Sequence, residues 1–550
     1  MKKLQPFLLC LFSIFTLSAQ AQAPFSTIDS IDVNNINASV LVHGDMWTDV
    51  AHNPKCEYPK GGGACVFSSA GIWIAGFDNA SRLHVSATTD RQKGNDFWPG
   101  PLSTGVHPID YSTSKNWARI WKINKSTIDS FRMLGTHTVA NTPATILEWP
   151  AKGNMYAKGN SGASLVIADD MAPFVDEDHD GVYDALKGDY PDIKGDQALW
   201  YVLNDYGPTH TETNGLPLGV EIHVMPYAYK RGNILDNIIY YEYTIVNRSA
   251  LNYSNFRLGL TNIGNLGYTF DDFVGCDSSQ RLEIIYYAIT PTTGAGGLSK
   301  YGIHIPMAGI VFINQPGDIT YTNTTALGSC MYYNNDFSVM GNPASDTDYF
   351  NYLNATWRDR THLRNDYKGA GNPSIGYGSG PNTNYIFSGN PYDTTQWSEC
   401  SSQNLPGDHR NIIVSNNFSL PAASSQRLTI ALLVIREGKG CPNTNFGAID
   451  SVADSAKYFY YMPPAPEAVQ DLAVNTSIHI YPNPAHDELN ISGITSTGED
   501  ISVYNMLGER MNIGYRQNGN NITLDISNLS AAPYIIKCGT LKNATLFIKQ

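Results

Sequence analysis

Ser477-Ile-His-Ile-Tyr-Pro-Asn-Pro484 opens the C-terminal segment, which continues as alternating apolar and polar residues to Gln550. Four runs in this segment carry an apolar side chain at every second position: Ile478 and Ile480; Leu489 and Ile491; Ile501 and Val503; Ile522, Leu524 and Ile526. A period of two residues is typical of β-strands with one buried face. Prolines and glycines separate the runs, as expected for turns. The segment therefore predicts a small Ig-like β-sandwich.

The same segment carries the motifs of a known family. They are, in chain order, Tyr481-Pro-Asn-Pro484, Val503-Tyr-Asn-Met-Leu-Gly508, Leu524-Asp-Ile-Ser-Asn-Leu529 and the closing Phe547-Ile-Lys549. In order and spacing they resemble the type A C-terminal sorting domain of the Bacteroidetes type IX secretion system, apart from Ala532, where that family usually has glycine. The resemblance implies that residues 476–550 engage the type IX secretion machinery and direct export across the outer membrane. It also implies removal of this domain, with the passenger released or kept at the cell surface. An ordinary accessory β-domain is the alternative.

The N-terminus has the pattern of a secretory signal peptide. Lys2 and Lys3 precede an apolar run at residues 7–17, and Ala19-Gln-Ala21 is a small-x-small cleavage site. The run is too short to span a membrane. We therefore predict a signal peptide at residues 1–21 that is cleaved after Ala21, and no transmembrane segment in the chain.

Composition favours an extracellular β-protein. Charged residues make up 16% of the 550 residues, with a formal net charge of −14, while the chain has 33 tyrosines and 48 glycines. Globular domains usually carry about a quarter charged residues. No basic stripe is present, which argues against nucleic acid as a partner. An acidic chain with clustered aspartates is better suited to binding calcium.

The chain has eight cysteines, of which Cys10 lies in the predicted signal peptide and Cys538 in the sorting domain. Export passes through an oxidising compartment, where disulfides form. Cys56 and Cys65 flank a triple-glycine turn at residues 61–63 and are the predicted disulfide. The sequence leaves the pairing among Cys276, Cys330, Cys400 and Cys441 open.

The most acidic stretch is Asp176-Glu-Asp-His-Asp-Gly-Val-Tyr-Asp184. Calcium loops place side-chain oxygens at positions 1, 3 and 5, glycine at position 6 and a backbone carbonyl at position 7. Those positions hold Asp176, Asp178, Asp180, Gly181 and Val182; Asp184 follows at position 9, and Asp189 is placed to complete the shell. Position 12 is Lys187 instead of the glutamate of an EF-hand, so the loop looks like the calcium loops of thrombospondin type 3 repeats. Carboxylates this close repel one another without a cation. We expect a structural Ca²⁺ here; a solvated acidic turn is the alternative.

The passenger as a whole is predicted to be all-β, with mostly antiparallel sandwich-like domains, long loops and one late helix. It divides into a β-rich region at residues 22–175, the aspartate loop at 176–197, a second β-rich region at 198–462 and a linker at 463–475. Residues 446–461 have apolar side chains at helical spacing. Residues 290–400 predict long loops and irregular strands, and the acidic stretch at 271–277 predicts an exposed turn, with a second metal site as the alternative.

A second resemblance covers most of residues 65–460. Secreted Bacteroidetes proteins without an established function carry similar motifs in the same order, found here at residues 94–101, 176–184, 188–191, 194–197, 271–277 and 406–410. Phe273 and His409 depart from that pattern, where the family has tyrosine and arginine. The resemblance implies no activity, because the family has none assigned.

The sequence contains no HExxH, GxSxG or P-loop motif. Weak candidates for chemistry remain: the Gly159-Asn-Ser-Gly162 turn, the His210/Glu212 and Glu221/His223 pairs, and a glycosidase pair of Glu148 with Glu221 or Glu242. The tryptophans at 73, 98, 117 and 121 predict core packing, with a carbohydrate-stacking platform as the alternative. We therefore expect a calcium-stabilised binding, adhesion or structural module with a glycan or other surface ligand; a secreted glycoside hydrolase is the alternative.

Overall fold

The computed structural model describes residues 25, 27–91, 94–102, 108–288, 301–302, 305–319, 324–367, 380–436, 439–463, 479–492, 501–505, 510–519, 521–538 and 544–550. The predicted signal peptide, its cleavage site and linker residues 464–475 lie outside these ranges. The chain divides into two compact units, with the boundary between Pro463 and Pro464. In the part of the chain that is described, no helix is long and apolar enough to cross a membrane.

The first unit consists mainly of strands. They are β1 Ile28–Ile31, β2 Asn37–Leu41, β3 Cys56–Glu57, β4 Cys65–Phe77, β5 Leu83–Ala87, β6 Trp98–Pro99, β7 Trp121–Asn124, β8 Phe174–Val175, β9 Tyr190–Pro191, β10 Gln197–Asn204, β11 Val220–Ala228, β12 Ile238–Asn247, β13 Tyr253–Gly264, β14 Asp272–Asp277, β15 Leu282–Tyr287, β16 Met307–Asn314, β17 Ser329–Asn334, β18 His409–Val414, β19 Phe418–Leu420 and β20 Ser425–Ile435. The helices are α1 Tyr111–Trp117, α2 Lys125–Arg132, α3 Ala144–Leu147, α4 Asp346–Leu353 and α5 Gly447–Tyr461, with 3₁₀ turns at Ala185–Lys187 and Ile234–Asn237.

Two nine-stranded antiparallel sheets organise this unit, which confirms the all-β prediction. Sheet I has the order β1-β2-β3-β4-β13-β18-β17, with β5 on β4 and β19 on β13. Sheet II has the order β14-β15-β16-β20-β12-β11-β10-β6, with β7 on β10. Strands from residues 22–175 pair with strands from residues 198–462 in both sheets, for example Ile74 with Leu258. The two β-rich regions of the passenger therefore share both sheets and form one unit.

Both faces of the central strands are buried. On β4, Ile72 and Ile74 enter the core between the two sheets, while Trp73 and Ala75 enter a second core on the outer face of sheet I. That outer core includes side chains of α4, and a third core on the outer face of sheet II includes side chains of α5. Strands covered on both faces read as continuous apolar runs, which explains why residues 70–77 lack alternation.

Helix α5 confirms the prediction of a late helix at residues 446–461. Its buried side chains are Ile449, Val452, Ala453 and Ala456. The region predicted as long loops contains a further helix, α4. Ser345 caps its N-terminus by accepting the Asp348 N–H, and Asp346 and Asp348 lie in its first turn, where negative charge is favourable. The weak periodicity of this polar segment conceals the helix.

The second unit is a small β-sandwich. Its strands are β21 His479–Tyr481, β22 Glu488–Ser492, β23 Ile501–Tyr504, β24 Arg510–Met511, β25 Gly514–Asn518, β26 Asn521–Asp525, β27 Ala532–Cys538 and β28 Ala544–Lys549. They form two four-stranded sheets, β21-β22-β26-β25 and β24-β23-β27-β28, around an apolar core that includes Leu489, Leu524 and Phe547. Ala532 opens β27 opposite Lys549, an extended position that does not need glycine.

The predicted Cys56–Cys65 disulfide is wrong in this structure. Cys56 is a buried thiol that lies opposite Phe67, while Cys65 lies opposite Glu57, because the β3–β4 pairing shifts register between these positions. Among the described residues, the disulfide that is present joins Cys400 to Cys441. Neither register of the β3–β4 pairing places the two cysteines directly opposite each other.

Candidate metal centre

The aspartate loop is closed at its base by a short ribbon. β8 and β9 pair antiparallel, with Val175 opposite Tyr190, so that the loop runs from 176 to 189. Tyr183 anchors its middle: the side chain is buried, and its hydroxyl donates to the Ile146 carbonyl at 2.7 Å. Gly181 has φ +82° and Gly188 has φ +110°, a backbone region that favours glycine. Residues 176–189 therefore form a tight loop whose two ends are held together by the β8–β9 pairing.

Three of the predicted ligands come together. Carboxylate oxygens of Asp176, Asp178 and Asp189 lie within 4.8 Å of one another, the one group of this kind among the described residues. Asp176 also organises the turn, because its two oxygens accept the backbone N–H groups of Asp180 at 3.3 Å and Gly181 at 2.9 Å. Carboxylate oxygens are the kind of ligand that Ca²⁺ takes in proteins.

Asp189 is the interior member of the group. Its side chain is buried and accepts the N–H groups of Glu177 and Asp184, both at 2.8 Å. Burial raises the pKa of Asp189, and the neighbouring charges of Asp176 and Asp178 raise it further. A cation bound between these carboxylates would reverse that electrostatic effect.

The remaining predicted ligands have other contacts. Asp180 accepts the Val182 N–H at 3.0 Å, and Asp184 accepts the Leu186 N–H at 2.9 Å as the cap of the 3₁₀ turn. The Val182 side chain packs against Gly153, where a Cβ would lie 2.6 Å from it. These three residues therefore shape the loop around the group of three aspartates.

Lys187 provides the local counter-charge. Its ammonium lies 2.6 Å from Asp180 and 2.9 Å from Asp178. The hydrogen bond from Lys187 lowers the pKa of Asp180, and the same contact raises the pKa of Lys187. Lys187 thus shares the Asp178 carboxylate with any metal ion at the site and is placed to compete with it.

The candidate catalytic carboxylates are held by cations instead. Glu221 receives hydrogen bonds from His223 at 2.6 Å and Arg248 at 2.9 Å. Burial alone would raise the pKa of Glu221, but these hydrogen bonds lower it below its usual value. Glu148 pairs with Arg119 at 2.9 Å. A carboxyl group whose pKa is lowered, as that of Glu221 is, is poorly suited to donating a proton.

Glu242, the other predicted partner of Glu148 in a glycosidase pair, is also held by cations. Its carboxylate lies 2.5 Å from the Lys194 ammonium and 3.5 Å from the Arg427 guanidinium.

The other chemical candidates are structural. His210 contacts the carbonyl of Asp205 at 2.8 Å, whereas Glu212 accepts the hydroxyl of Tyr349 at 2.5 Å. The Ser161 hydroxyl donates to Asn116 at 2.9 Å. The four tryptophans are buried, which confirms core packing: Trp73, Trp98, Trp117 and Trp121.

The acidic stretch at 271–277 is not an exposed turn. Residues 272–277 form β14, and Asp272 is buried, with one oxygen accepting the Leu266 N–H at 2.9 Å. Sequence reasoning also missed Glu283, which is buried on β15 directly opposite Cys276. A single polar residue in an apolar run gives no local signal that it faces the interior.

Comparison with known proteins identifies the second unit. Residues 479–549 match the model of the secretion system C-terminal sorting domain. The C-terminal unit is a sorting domain of this kind. The protein is therefore a type IX secretion substrate that is secreted or displayed on the outer surface, and its sorting domain implies interaction with the type IX machinery.

No curated protein matches the chain in sequence. Among solved structures, a polysaccharide lyase is similar over 60% of this chain and 34% of its own chain, with 8% identity and a TM-score of 0.18. The match thus spans about a third of the lyase, and a similarity this low carries no argument about fold or activity.

Proposed function

We propose that the passenger is a calcium-stabilised, β-rich module that binds a glycan or another surface ligand outside the cell. The observation that carries the calcium part is the group of Asp176, Asp178 and Asp189, whose oxygens lie within 4.8 Å on a loop with a closed base. Calcium bound there would fix residues 176–189 against the Tyr183 anchor. The role of the ion is then structural.

The ligand part of the proposal is supported by exposed aromatic side chains. Tyr268 and Phe270 lie between β13 and β14, are 48% and 53% exposed, and have ring centroids 5.4 Å apart. Exposed rings offer apolar faces to a ligand without the cost of opening the core. The pair is therefore the first surface to test for sugar binding.

Calcium should raise the melting temperature of the passenger by a few degrees, and Asp178→Ala should abolish that increase. An ion at a hundredfold excess over its Kd stabilises the folded state by about 2.7 kcal/mol. The measurement is thermal unfolding with calcium and with a chelator. Asp170→Asn is the matched control, because Asp170 is 90% exposed and lies outside the aspartate group.

A second variant separates calcium binding from general damage to the loop. Lys187→Met removes the cation that competes for Asp178 and should tighten calcium binding, measured by calorimetric titration. Equal melting of the wild-type protein in calcium and in chelator, together with no heat of binding in either protein, would overturn the calcium proposal.

For the ligand, we expect the exported protein to bind members of a glycan array, and Tyr268→Ala/Phe270→Ala to lose that binding. Tyr392→Ala serves as the control, since Tyr392 is 64% exposed and belongs to another loop. Unchanged binding by the double variant would exclude this surface, and a blank array with wild-type protein would contradict glycan recognition.

A further inference from the structure

Two cysteines from opposite sheets meet in the core of the passenger. Cys276 lies on β14 of sheet II, and Cys330 lies on β17 of sheet I. Both are buried in the core between the sheets, at 0% and 1% exposure, and both are present as thiols. The two cysteines bind the same stretch of backbone: the Cys276 N–H donates to the Phe387 carbonyl at 3.3 Å, and the Cys330 carbonyl accepts the Ile386 N–H at 2.9 Å. The side chain of Cys276 raises the pKa of Cys330, as expected for neighbouring thiols.

We propose that Cys276 and Cys330 form a disulfide in the exported protein, which joins sheet I covalently to sheet II. The two thiols lose two protons and two electrons, and one S–S bond forms. A protein disulfide of a periplasmic thiol–disulfide oxidoreductase accepts the electrons and is reduced to two thiols, by way of a mixed disulfide. The export route implied by the sorting domain exposes the chain to such an oxidant.

The bond would secure an edge of the sandwich. β14 is the terminal strand of sheet II, and the strand at an edge has unpaired backbone groups that need another partner. Here the Cys276 N–H donates to the Phe387 carbonyl at 3.3 Å, and the Val274 N–H donates to Glu399 at 3.1 Å. The segment that covers this edge thus comes from far along the chain.

The existing disulfide already holds that covering segment. Cys400, next to Glu399, is bonded to Cys441. A Cys276–Cys330 bond would attach β14 to the opposite sheet as well. The two bonds together would hold both the strand and the segment that covers it.

The reaction belongs to an early stage of folding. Burial raises the pKa of Cys330, and contact with Cys276 raises it further, so little of the attacking thiolate exists in the folded core. Oxidation should therefore occur while the chain is still open in the periplasm.

Peptide mapping of the full-length protein purified from periplasm or culture medium tests the proposal. The protein is denatured without reductant, alkylated, digested and analysed by mass spectrometry. We expect one linked pair of peptides that contains Cys276 and Cys330, alongside the Cys400–Cys441 pair, with Cys56 alkylated. The same chain without residues 1–21, made in a reducing cytoplasm, should carry alkyl groups on both Cys276 and Cys330. Alkylation of both residues in the unreduced exported protein would overturn the proposal.

Thermal unfolding supplies a second readout. Reductant should lower the melting temperature of the exported wild-type protein by several degrees more than that of Cys276→Ser/Cys330→Ser, because only the wild type loses this constraint on the unfolded chain. Reductant also breaks the Cys400–Cys441 bond in both proteins, so the effect of losing that bond cancels in the comparison. An equal response of the two proteins to reductant would count against the cross-link.

Discussion

Glu283→Gln should remove a large loss of stability that the wild-type protein suffers between about pH 5 and about pH 9. Burial raises the pKa of Glu283 to about 8, although a hydrogen bond from Asn262 at 2.8 Å opposes the shift. The carboxyl group is therefore protonated in the folded protein at neutral pH. In the unfolded chain it ionises near its ordinary value of 4.5.

The direction in which the free energy of unfolding changes with pH follows from this difference between the folded and the unfolded protein. Below about pH 4.5 both states hold the proton, and the stabilising contribution is complete. As the pH rises towards 8, the unfolded chain releases its proton while the folded protein retains it, so the free energy of unfolding falls. Each unit of pKa difference corresponds to about 1.4 kcal/mol, so the difference between 4.5 and about 8 gives a total loss on the order of 5 kcal/mol.

Urea unfolding across this pH range measures the effect. Glutamine keeps the size of the side chain and its contact with Asn262 but does not titrate, so the variant should show a much smaller decline. Glu488→Gln is the control, because Glu488 is 55% exposed. If wild type and Glu283→Gln decline in parallel, Glu283 is ionised in the folded protein and the predicted pKa is wrong.

Arg281→Met should lower the free energy of unfolding by about 3 to 5 kcal/mol. Arg281 pairs with Asp318 at 2.7 Å, and the two side chains are 5% and 1% exposed. Arg281 also donates to the Ile313 carbonyl at 2.8 Å, and Asp318 accepts the N–H of Thr325 at 2.7 Å. Removing the arginine leaves a buried carboxylate without a counter-charge, which is why the expected cost is large.

Arg427→Met is the matched comparison. Arg427 also pairs with a carboxylate, Glu242 at 3.5 Å, but it is 58% exposed, and exposed pairs contribute about 1 kcal/mol or less. Adding Asp318→Asn to Arg281→Met should recover part of the lost stability, since the isolated charge is gone. Similar urea midpoints for Arg281→Met and Arg427→Met would show that burial does not set the strength of these pairs.

Local pattern predicted much of the secondary structure. The alternating runs that begin at Leu489, Ile501 and Ile522 became β22, β23 and β26, and the helical spacing at 446–461 became α5. These elements were visible because periodic side chains show which face is buried. Helix α4 could not be predicted in this way, because its polar composition shows no clear helical period. Its N-terminal cap and its packing are seen only in the structure.

The sequence by itself determined the main strands of the last unit, that this unit is a sorting sandwich, and where the aspartate-rich loop lies. All three are local properties, because they depend on the period, order and spacing of residues that are close together in the sequence. Only the tertiary structure decided that Asp176, Asp178 and Asp189 are the three of the six predicted ligands that come together, that Cys400 pairs with Cys441, and that Glu283 and Asp272 are interior. The physical reason is that strand register and burial depend on residues far apart in the sequence, such as the paired Ile74 and Leu258. The pattern of neighbouring residues does not show which distant strand each strand pairs with.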